Sequence, residues 1–133
     1  MILFIDDEER EMSSYVQELE LSGLDVRFES NVDKALEAFN ENIDNIQLII
    51  LDVMMVAGTA FQQANTEGGL RTGIYFHKII REKLPKVPII IFTNVSDSRV
   101  ASDIRQDKKS WFLLKEDILP FELVDKITKF LEE

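Results

Sequence analysis

The chain contains four short apolar runs, and each of them ends at a polar or charged residue. The runs and the residues that follow them are 1–5 before Asp6 and Asp7, 48–51 before Asp52, 88–92 before Thr93, and 111–114 before Lys115. Runs of this kind, rich in Ile and Phe and separated by helical segments, are typical of parallel strands buried on both faces of a sheet. In an open parallel sheet the binding crevice lies outside the carboxyl ends of the strands. The sequence therefore predicts that three carboxylates, a hydroxyl and an ammonium group meet at one edge of a sheet.

The segments between these runs predict helices and one further strand. Apolar residues recur at helical spacing in 8–22, 32–41, 70–84 and 119–132. A mostly polar segment at 97–107 predicts a thin, loosely held helix, and Asn31 is expected to cap the helix that follows it. Apolar and charged residues alternate in 25–30, which predicts a half-buried edge strand. The resulting order is strand then helix five times over, and right-handed crossovers favour a doubly wound α/β sheet in one domain.

Composition narrows the classes of function. The 133 residues include 25 acidic and 15 basic ones, for a net charge of −10, which makes the chain a poor electrostatic match for nucleic acid. The chain has no cysteine, so neither a disulfide framework nor a thiolate metal site is expected. No apolar stretch approaches the length of a membrane span. We therefore expect a soluble cytoplasmic protein that binds neither nucleic acid nor a membrane directly.

A long segment without periodicity follows the third apolar run. Between about 53 and 69, three glycines lie among polar residues, which indicates a loop of unusual length between a strand and a helix. Long loops beside a site are often lids or docking surfaces, while others are merely mobile. Phe61 is an isolated aromatic residue in this loop, and we expect a docking role.

Taken together, the four strand ends resemble those of a receiver domain of a two-component response regulator. The resemblance extends over residues 1–132. The matching motifs are the pair Asp6-Asp7, Asp52 in Leu-Asp-Val-Met-Met, Thr93 after Ile-Ile-Ile-Phe, and Lys115 after Phe-Leu-Leu. The resemblance implies a flavodoxin-like (βα)5 fold with a five-stranded parallel sheet in the order 2-1-3-4-5. It also implies that residues 1–133 form one receiver domain.

The resemblance assigns a phosphoacceptor role and a metal site. Asp52 would take a phosphoryl group from a histidine kinase or a phosphotransfer protein. Mg²⁺ would be bound directly by Asp7 and through a water by Asp6, with Asp52 and the backbone carbonyl of Met54 as further ligands. Such a protein is not an enzyme with a separate substrate, because it catalyses only its own phosphorylation and dephosphorylation.

The remaining matched residues would respond to the phosphoryl group. Lys115 would pair with a phosphoryl oxygen, and Thr93 would turn its hydroxyl onto the group once it is in place. Phe112 falls where the family has its switch aromatic residue. Together with Trp111, it would lie on a face formed by the fourth helix, the last strand and the last helix, which we expect to bind a downstream protein.

The chemistry of these residues is consistent with such a site. Three carboxylates around one spot repel each other unless a cation lies among them. Mg²⁺ suits the position because it prefers hard oxygen ligands and tolerates retained waters. Phosphoryl transfer itself asks a protein mainly for positioning and charge neutralisation, which a metal ion and Lys115 would supply around Asp52.

Three positions depart from the pattern of the family. Glu116 follows Lys115 where relatives usually have a proline after a cis bond. A cis bond to a non-proline residue costs about 2.5–4 kcal/mol, so we expect a trans bond, which leaves the reach of Lys115 open. Asn94 follows Thr93 where relatives prefer a small side chain, and Val56 occupies a position after which proline is common.

Other functions remain to be weighed against a stand-alone phosphoacceptor. The second interpretation is a receiver-like protein-binding module that does not depend on phosphorylation. The third is a Mg²⁺-dependent phosphohydrolase of the haloacid dehalogenase type, which needs a second acid two residues after its nucleophile, where this chain has Met54.

Several of these residues also have simple structural explanations. Asp6 or Asp7 alone would serve as a cap for the first helix. Phe112 would simply fill the core, and Trp111 would fold back onto it instead of anchoring a partner. For His77, the only histidine, we expect packing and not catalysis.

Overall fold

The described part of the chain forms one parallel sheet with helices on both sides. The structure is a computed structural model, and it describes residues 1–55, 72–94 and 104–132. The strands are β1 (Ile2–Ile5), β2 (Val26–Glu29), β3 (Leu48–Leu51), β4 (Ile89–Thr93) and β5 (Ser110–Leu114). The helices are α1 (Glu9–Leu21), α2 (Val32–Glu41), α3 (Thr72–Lys83) and a C-terminal helix (Pro120–Glu132). The sheet order is β2-β1-β3-β4-β5 with parallel neighbours, which confirms the predicted fold class and strand order.

The apolar runs form strands because both faces of the central sheet are covered. Alternate side chains of β1, β3 and β4 pack with α2 and α3 on one face and with α1 and the C-terminal helix on the other. Phe4 and Phe92 lie in the second of these cores, and Phe39 and Phe76 in the first, all of them fully buried. Burying a side chain of this size stabilises a fold by roughly 1.5–3 kcal/mol. Since no position of these strands faces water, an uninterrupted apolar run is what the architecture requires.

Local sequence features set the ends of the first two helices. Asn31 caps α2 as predicted, because its side-chain oxygen accepts hydrogen bonds from the amides of Asp33 and Lys34 at 2.8 and 3.1 Å. Gly23 follows the end of α1 with φ +88°, a conformation that side chains rarely adopt. The edge strand β2 also matches its alternating pattern, with Val26 and Phe28 half-buried and Arg27 exposed.

Some expectations concern residues that the structure does not describe. The loop predicted at about 53–69, with Phe61 and the departure at Val56, lies outside the described residues from residue 56 onward, and so does most of the predicted helix at 97–107. Among residues 1–55, 72–94 and 104–132, no helix has the length and apolar character that crossing a membrane requires.

Gly73, in the first turn of α3, brings that helix against the backbone that carries Asp52. Its amide donates a hydrogen bond of 2.9 Å to the carbonyl of Val53. A Cβ atom added at residue 73 would lie 2.3 Å from the Cα of Val53 and 2.6 Å from the carbonyl oxygen of Asp52. Both obstacles are main-chain atoms, so no change of rotamer would relieve the clash. The start of α3 therefore holds the end of β3 in place.

This close approach predicts the sign of a substitution. In an exposed helix interior, replacing Gly with Ala stabilises by roughly 0.5–1 kcal/mol. We expect Gly73→Ala instead to lower the free energy of unfolding by about 1–3 kcal/mol, the usual cost of overpacking, as measured by urea denaturation. Gly23→Asn is the control, because Asn tolerates a positive φ and the space around Gly23 is open. A more stable Gly73→Ala variant would show that α3 does not press on β3.

Candidate functional site

The predicted residues gather at the carboxyl edge of the sheet. Asp6 follows β1, Asp52 follows β3, Thr93 ends β4, and Lys115 follows β5. These four residues are buried, whereas Asp7 is exposed. Because the strands are parallel and in register, with Ile5 beside Leu51, the residues that follow them must emerge at the same level of the sheet.

Lys115 lies among three carboxylates from two parts of the chain, the segment after β1 and the residue after β3. Its Nζ is 2.8 Å from Asp6 Oδ2 and 3.0 Å from Asp52 Oδ2, and it donates a hydrogen bond to the latter. Glu8 Oε1 is 3.7 Å from the same nitrogen. Removing a charge from water is costly unless a partner compensates for it, and here one buried ammonium serves two buried carboxylates.

The two buried carboxylates are oriented by backbone amides. Asp52 Oδ1 accepts a hydrogen bond of 3.1 Å from the amide of Met54, and Asp6 Oδ1 accepts one of 2.9 Å from the amide of Glu8. Each aspartate thus turns the chain just after its strand and uses one oxygen to do so, the local turn typical of Asp. The second oxygen of each carboxylate faces Lys115.

The charges of this cluster change the proton affinities of its members. Burial, together with the charge of Asp52, raises the pKa of Asp6 from 3.8 to about 6, although Lys115 and the Glu8 amide act in the opposite direction. Burial alone would lower the pKa of Lys115, but its close contact with Asp6 and the charges of Asp52 and Asp6 outweigh it and raise that pKa. The surroundings of Asp6 therefore oppose its negative charge, and Lys115 stays an ammonium.

The same cluster has the composition of a site for a hard cation. Asp6, Asp7 and Asp52 each offer one carboxylate oxygen, and these oxygens lie within 4.8 Å of one another. Asp6 Oδ2 is fully buried and, among the described residues, receives no well-directed hydrogen bond, because Lys115 contacts it as an ion pair at an unfavourable angle. Oxygen ligands of this kind suit Mg²⁺. The structure thus brings together the three predicted carboxylate ligands, and Met54 lies two residues after Asp52. Coordination by these residues stays a prediction.

The doubt about the reach of Lys115 is resolved by its position. Residues Lys115–Asp117 form a short 3-10 helix, and the peptide bonds of the described residues are all trans, as expected without a proline at Glu116. Lys115 nevertheless contacts Asp52 at 3.0 Å.

Thr93 lies where the prediction requires it. It is fully buried at the end of β4 and pairs in register with Leu114, the residue before Lys115. Asn94, which follows it, is exposed. The proposed response of the Thr93 hydroxyl to phosphorylation stays a prediction.

Trp111 and Phe112 lie on opposite faces of β5 and away from the carboxylates. Trp111 is half-buried and stacks on Phe130 of the C-terminal helix, with ring centroids 4.1 Å apart. Phe112 is half-buried against the core formed with α2 and α3. Both residues therefore have a packing role, and neither is fully buried, so their predicted part in partner binding stays open.

His77 has a structural role, as expected. Its Nε2 lies 2.8 Å from the hydroxyl of Ser110 and 3.1 Å from Asp107 Oδ2, and Arg81 Nε donates to the same Asp107 oxygen at 2.6 Å. Burial lowers the pKa of His77. These residues tie α3 to the start of β5, at the end of the strand opposite to the carboxylates.

Two residues of the site were not singled out from the sequence. Glu8 continues the acidic run after Asp7, and the length of that run was the available indication. Gly73 lies inside a segment predicted to be helical, where glycine is unfavourable, and that local conflict was the indication of a close backbone contact.

Comparisons with known proteins agree on one family. The sequence model described as the response regulator receiver domain matches residues 2–128. The fold is similar to a CheY-like response regulator receiver domain protein from Methanospirillum hungatei JF-1, with a TM-score of 0.76 and 19% identity over 98% of this chain and 92% of that one. It is also similar to a two-component response regulator from Clostridium difficile, with a TM-score of 0.78 and 20% identity over 99% and 95%. The receiver domain of NtrX from Brucella abortus gives a TM-score of 0.75 and 22% identity over 99% and 98%. A comparison with curated protein sequences gives no match.

The raised pKa of Asp6 predicts a pH-dependent cost to stability. Because the folded chain binds this proton more tightly than the unfolded chain does, stability falls as pH rises from about 4 to about 6 and stays lower above that range. Asp6→Asn carries no such charge. In chelator we therefore expect this variant to melt higher than the parent at about pH 7.5, by the equivalent of roughly 1–3 kcal/mol, and to lose most of this advantage at about pH 4.5.

The exposed Asp44→Asn variant is the matched control, and it should show no comparable gain. Asp52→Asn should act in the same direction as Asp6→Asn, since it removes a like charge from the cluster. Calorimetric melting in chelator and in Mg²⁺ measures these effects, and Mg²⁺ should reduce the difference from the parent. Lower melting of both site variants in chelator would mean that the carboxylates do not oppose folding.

Proposed function

The chain belongs to the response regulator receiver domain family, and from that premise we propose that it accepts a phosphoryl group on Asp52. The donor is the phosphohistidine of a histidine kinase or of a phosphotransfer protein. The product is an aspartyl phosphate, whose formation changes a protein-binding face. Residues 1–133 act as one receiver domain in this proposal, and the reaction is confined to the chain's own phosphorylation and dephosphorylation.

One contact carries the proposal: Lys115 Nζ lies 3.0 Å from Asp52 Oδ2 at the carboxyl edge of the sheet. A nucleophilic carboxylate and a permanent ammonium at this distance are the pair that phosphoryl transfer needs, because the reaction depends on positioning and charge neutralisation. The orientation of Asp52 by the Met54 amide supports the same role. The proximity of the Asp6 and Asp7 carboxylate oxygens to that of Asp52, within 4.8 Å, also supports this role.

A divalent cation completes the charge balance. Asp6, Asp7, Asp52 and the backbone carbonyl of Met54 would hold Mg²⁺, which when bound supplies positive charge opposite the phosphoryl oxygens. The raised pKa of Asp6 and its poorly satisfied, buried Oδ2 support this assignment. Without a cation, these residues place more negative charge at the edge than Lys115 can neutralise.

The transfer step follows from the roles of two residues. An oxygen of Asp52 forms a bond to phosphorus as the bond from phosphorus to the donor's imidazole nitrogen breaks, and that nitrogen keeps the electron pair. Lys115 moves its hydrogen bond from the carboxylate to a phosphoryl oxygen without losing a proton, since its pKa is raised.

The new group then acts as a local change of charge. A phosphoryl group adds about −1.5 to −2 charges, toward which Thr93, buried at the end of β4, would turn its hydroxyl. Movement of Thr93 would leave space that Phe112, on the neighbouring strand β5, would enter. Such a step biases a two-state element, and the downstream protein would recognise the result at the sheet edge formed by β5, the strand that carries Phe112 and Trp111. The proposal includes no direct contact with nucleic acid or membrane, and a cytoplasmic location stays a prediction.

Three exposed apolar side chains follow Asp52 and Lys115 along the chain. Met54 lies two residues after Asp52, and Leu119 and Phe121 follow Lys115 at the start of the C-terminal helix; all three are largely exposed. Exposed apolar residues beside a reactive group favour a protein donor over a small one.

Intact mass spectrometry tests the acceptor. After incubation with Mg²⁺ and acetyl phosphate, we expect the parent to gain the mass of one phosphoryl group and Asp52→Asn to gain none, because the nucleophile is absent. Asp25→Asn, an exposed acid at the opposite edge of the sheet, is the matched control and should gain the group as the parent does. Chelation of Mg²⁺ should abolish the gain in every variant.

Two results would contradict the proposal. A gain in Asp52→Asn would mean that another residue is the acceptor. If the parent gains nothing from acetyl phosphate or from a phosphorylated histidine phosphotransfer protein, the chain is better described as a receiver-like binding module that does not depend on phosphorylation.

A further inference from the structure

Glu8 is a third carboxylate beside Lys115, and it differs from the other two in exposure. Its Oε1 lies 3.7 Å from Lys115 Nζ. The side chains of Asp6 and Asp52 are 0% and 3% exposed, whereas that of Glu8 is 41% exposed. Among the three carboxylates that contact this ammonium, Glu8 is therefore the one that reaches solvent.

The backbone of Glu8 is fixed by hydrogen bonds, but its side chain does not cap helix α1. Its amide donates to Asp6 Oδ1 at 2.9 Å, and its carbonyl accepts the amide of Met12 at 3.0 Å. A residue at this N-cap position usually bonds the first helix amides through its side chain, and Glu8 does not. The carboxylate lies near Lys115 instead, from a main chain whose position is fixed.

The charges then put Glu8 in competition with the phosphoryl group. Asp6, Asp52 and Glu8 contact one ammonium, and a carboxylate oxygen of Asp7 lies within 4.8 Å of those of Asp6 and Asp52, so the four carboxylates and the ammonium sum to a formal charge of −3 before a cation binds. A phosphoryl oxygen that pairs with Lys115 must take the place of its present partners. The charge of Glu8, at the solvent-exposed side of Lys115, then attracts a cation and repels an anionic donor.

We propose that Glu8 is a positioning residue of the phosphoryl site, which acts through Lys115 to favour cation binding and to oppose loading by an anionic donor. This inference rests on the proposed function of Asp52. The proposal predicts two effects of removing the Glu8 charge. The Kd of Mg²⁺ rises, and the KM for acetyl phosphate at saturating Mg²⁺ falls.

A simpler role for Glu8 would be to place negative charge near the start of α1, where acidic residues stabilise helices. Glu9 provides the matched control, because it is an exposed acid in the first turn of the same helix. Glu8→Gln and Glu9→Gln remove the same charge from adjacent positions. The two variants separate the position of Glu8 from a general change in net charge or in helix stability.

Two measurements on the parent and both variants test the proposal. Isothermal titration calorimetry without a donor gives the Kd of Mg²⁺, and initial rates of mass gain at saturating Mg²⁺ give the KM for acetyl phosphate and the maximal rate. For Glu8→Gln we expect the Kd of Mg²⁺ to rise and the KM for acetyl phosphate to fall, each by about three- to fivefold, the upper range for a partly exposed pair. The maximal rate should stay within about twofold of the parent's, and high salt should shrink both effects. Glu9→Gln should change neither constant by more than about twofold.

The outcomes distinguish this inference from the proposed function. Equal effects of Glu8→Gln and Glu9→Gln would overturn the role of Glu8. If the parent gains the phosphoryl group, the role is also overturned when the Kd of Mg²⁺ and the KM for acetyl phosphate of Glu8→Gln equal those of the parent. If the parent gains no phosphoryl group, the proposed function fails, and the calorimetric comparison decides alone: an unchanged Kd, or no binding of Mg²⁺, overturns the inference. A fall in the maximal rate with constant KM would also overturn it, because that result would mean disturbed geometry in place of altered charge.

Discussion

The crowding of carboxylates around one buried ammonium is the interaction on which the rest of this structure depends. Asp6 and Asp52 are both buried, and Lys115 contacts each of them within 3.0 Å. The pKa of Asp6 is raised in spite of that contact, so the cluster is a cost to the fold that persists until a cation or another neutralising group arrives. Folds commonly tolerate such local conflicts where function requires them.

The burial of the central strands stabilises the fold against the repulsion within the carboxylate cluster. The central strands are buried on both faces, and their register brings Asp6, Asp52 and Thr93 to the same edge of the sheet. Gly73 adds a second constraint, because the backbone contact it permits sets α3 directly against the end of β3. Asp52 is therefore positioned by main-chain packing on one side and by a charged side chain on the other, which leaves its carboxylate few orientations.

Exposure divides the charged groups of the site into two classes with different consequences. The buried carboxylates orient Lys115 and define where a cation would bind, whereas Glu8 and Asp7 face the solvent from which reactants arrive. Interactions of exposed charges are weaker and screened by salt. The exposed carboxylates therefore modify the affinity of the site for ions, whereas the buried residues set its geometry. Both classes contribute a contact to Lys115, Asp6 and Asp52 from the buried class and Glu8 from the exposed one.

The sequence by itself determined the strands, their order along the chain and the residues that end them, because a strand buried on both faces needs an uninterrupted apolar run and the chemistry begins where that run stops. Local capping was equally accessible, as Asn31 shows. The contacts of Glu8 with Lys115, Gly73 with Val53 and Trp111 with Phe130 were decided only by the tertiary structure. Each joins segments whose separation in space depends on how helices pack across the sheet, and no local pattern encodes that distance. The way Lys115 is shared among its carboxylates belongs to the same class, since it depends on burial and on the relative positions of three strand ends, those of β1, β3 and β5.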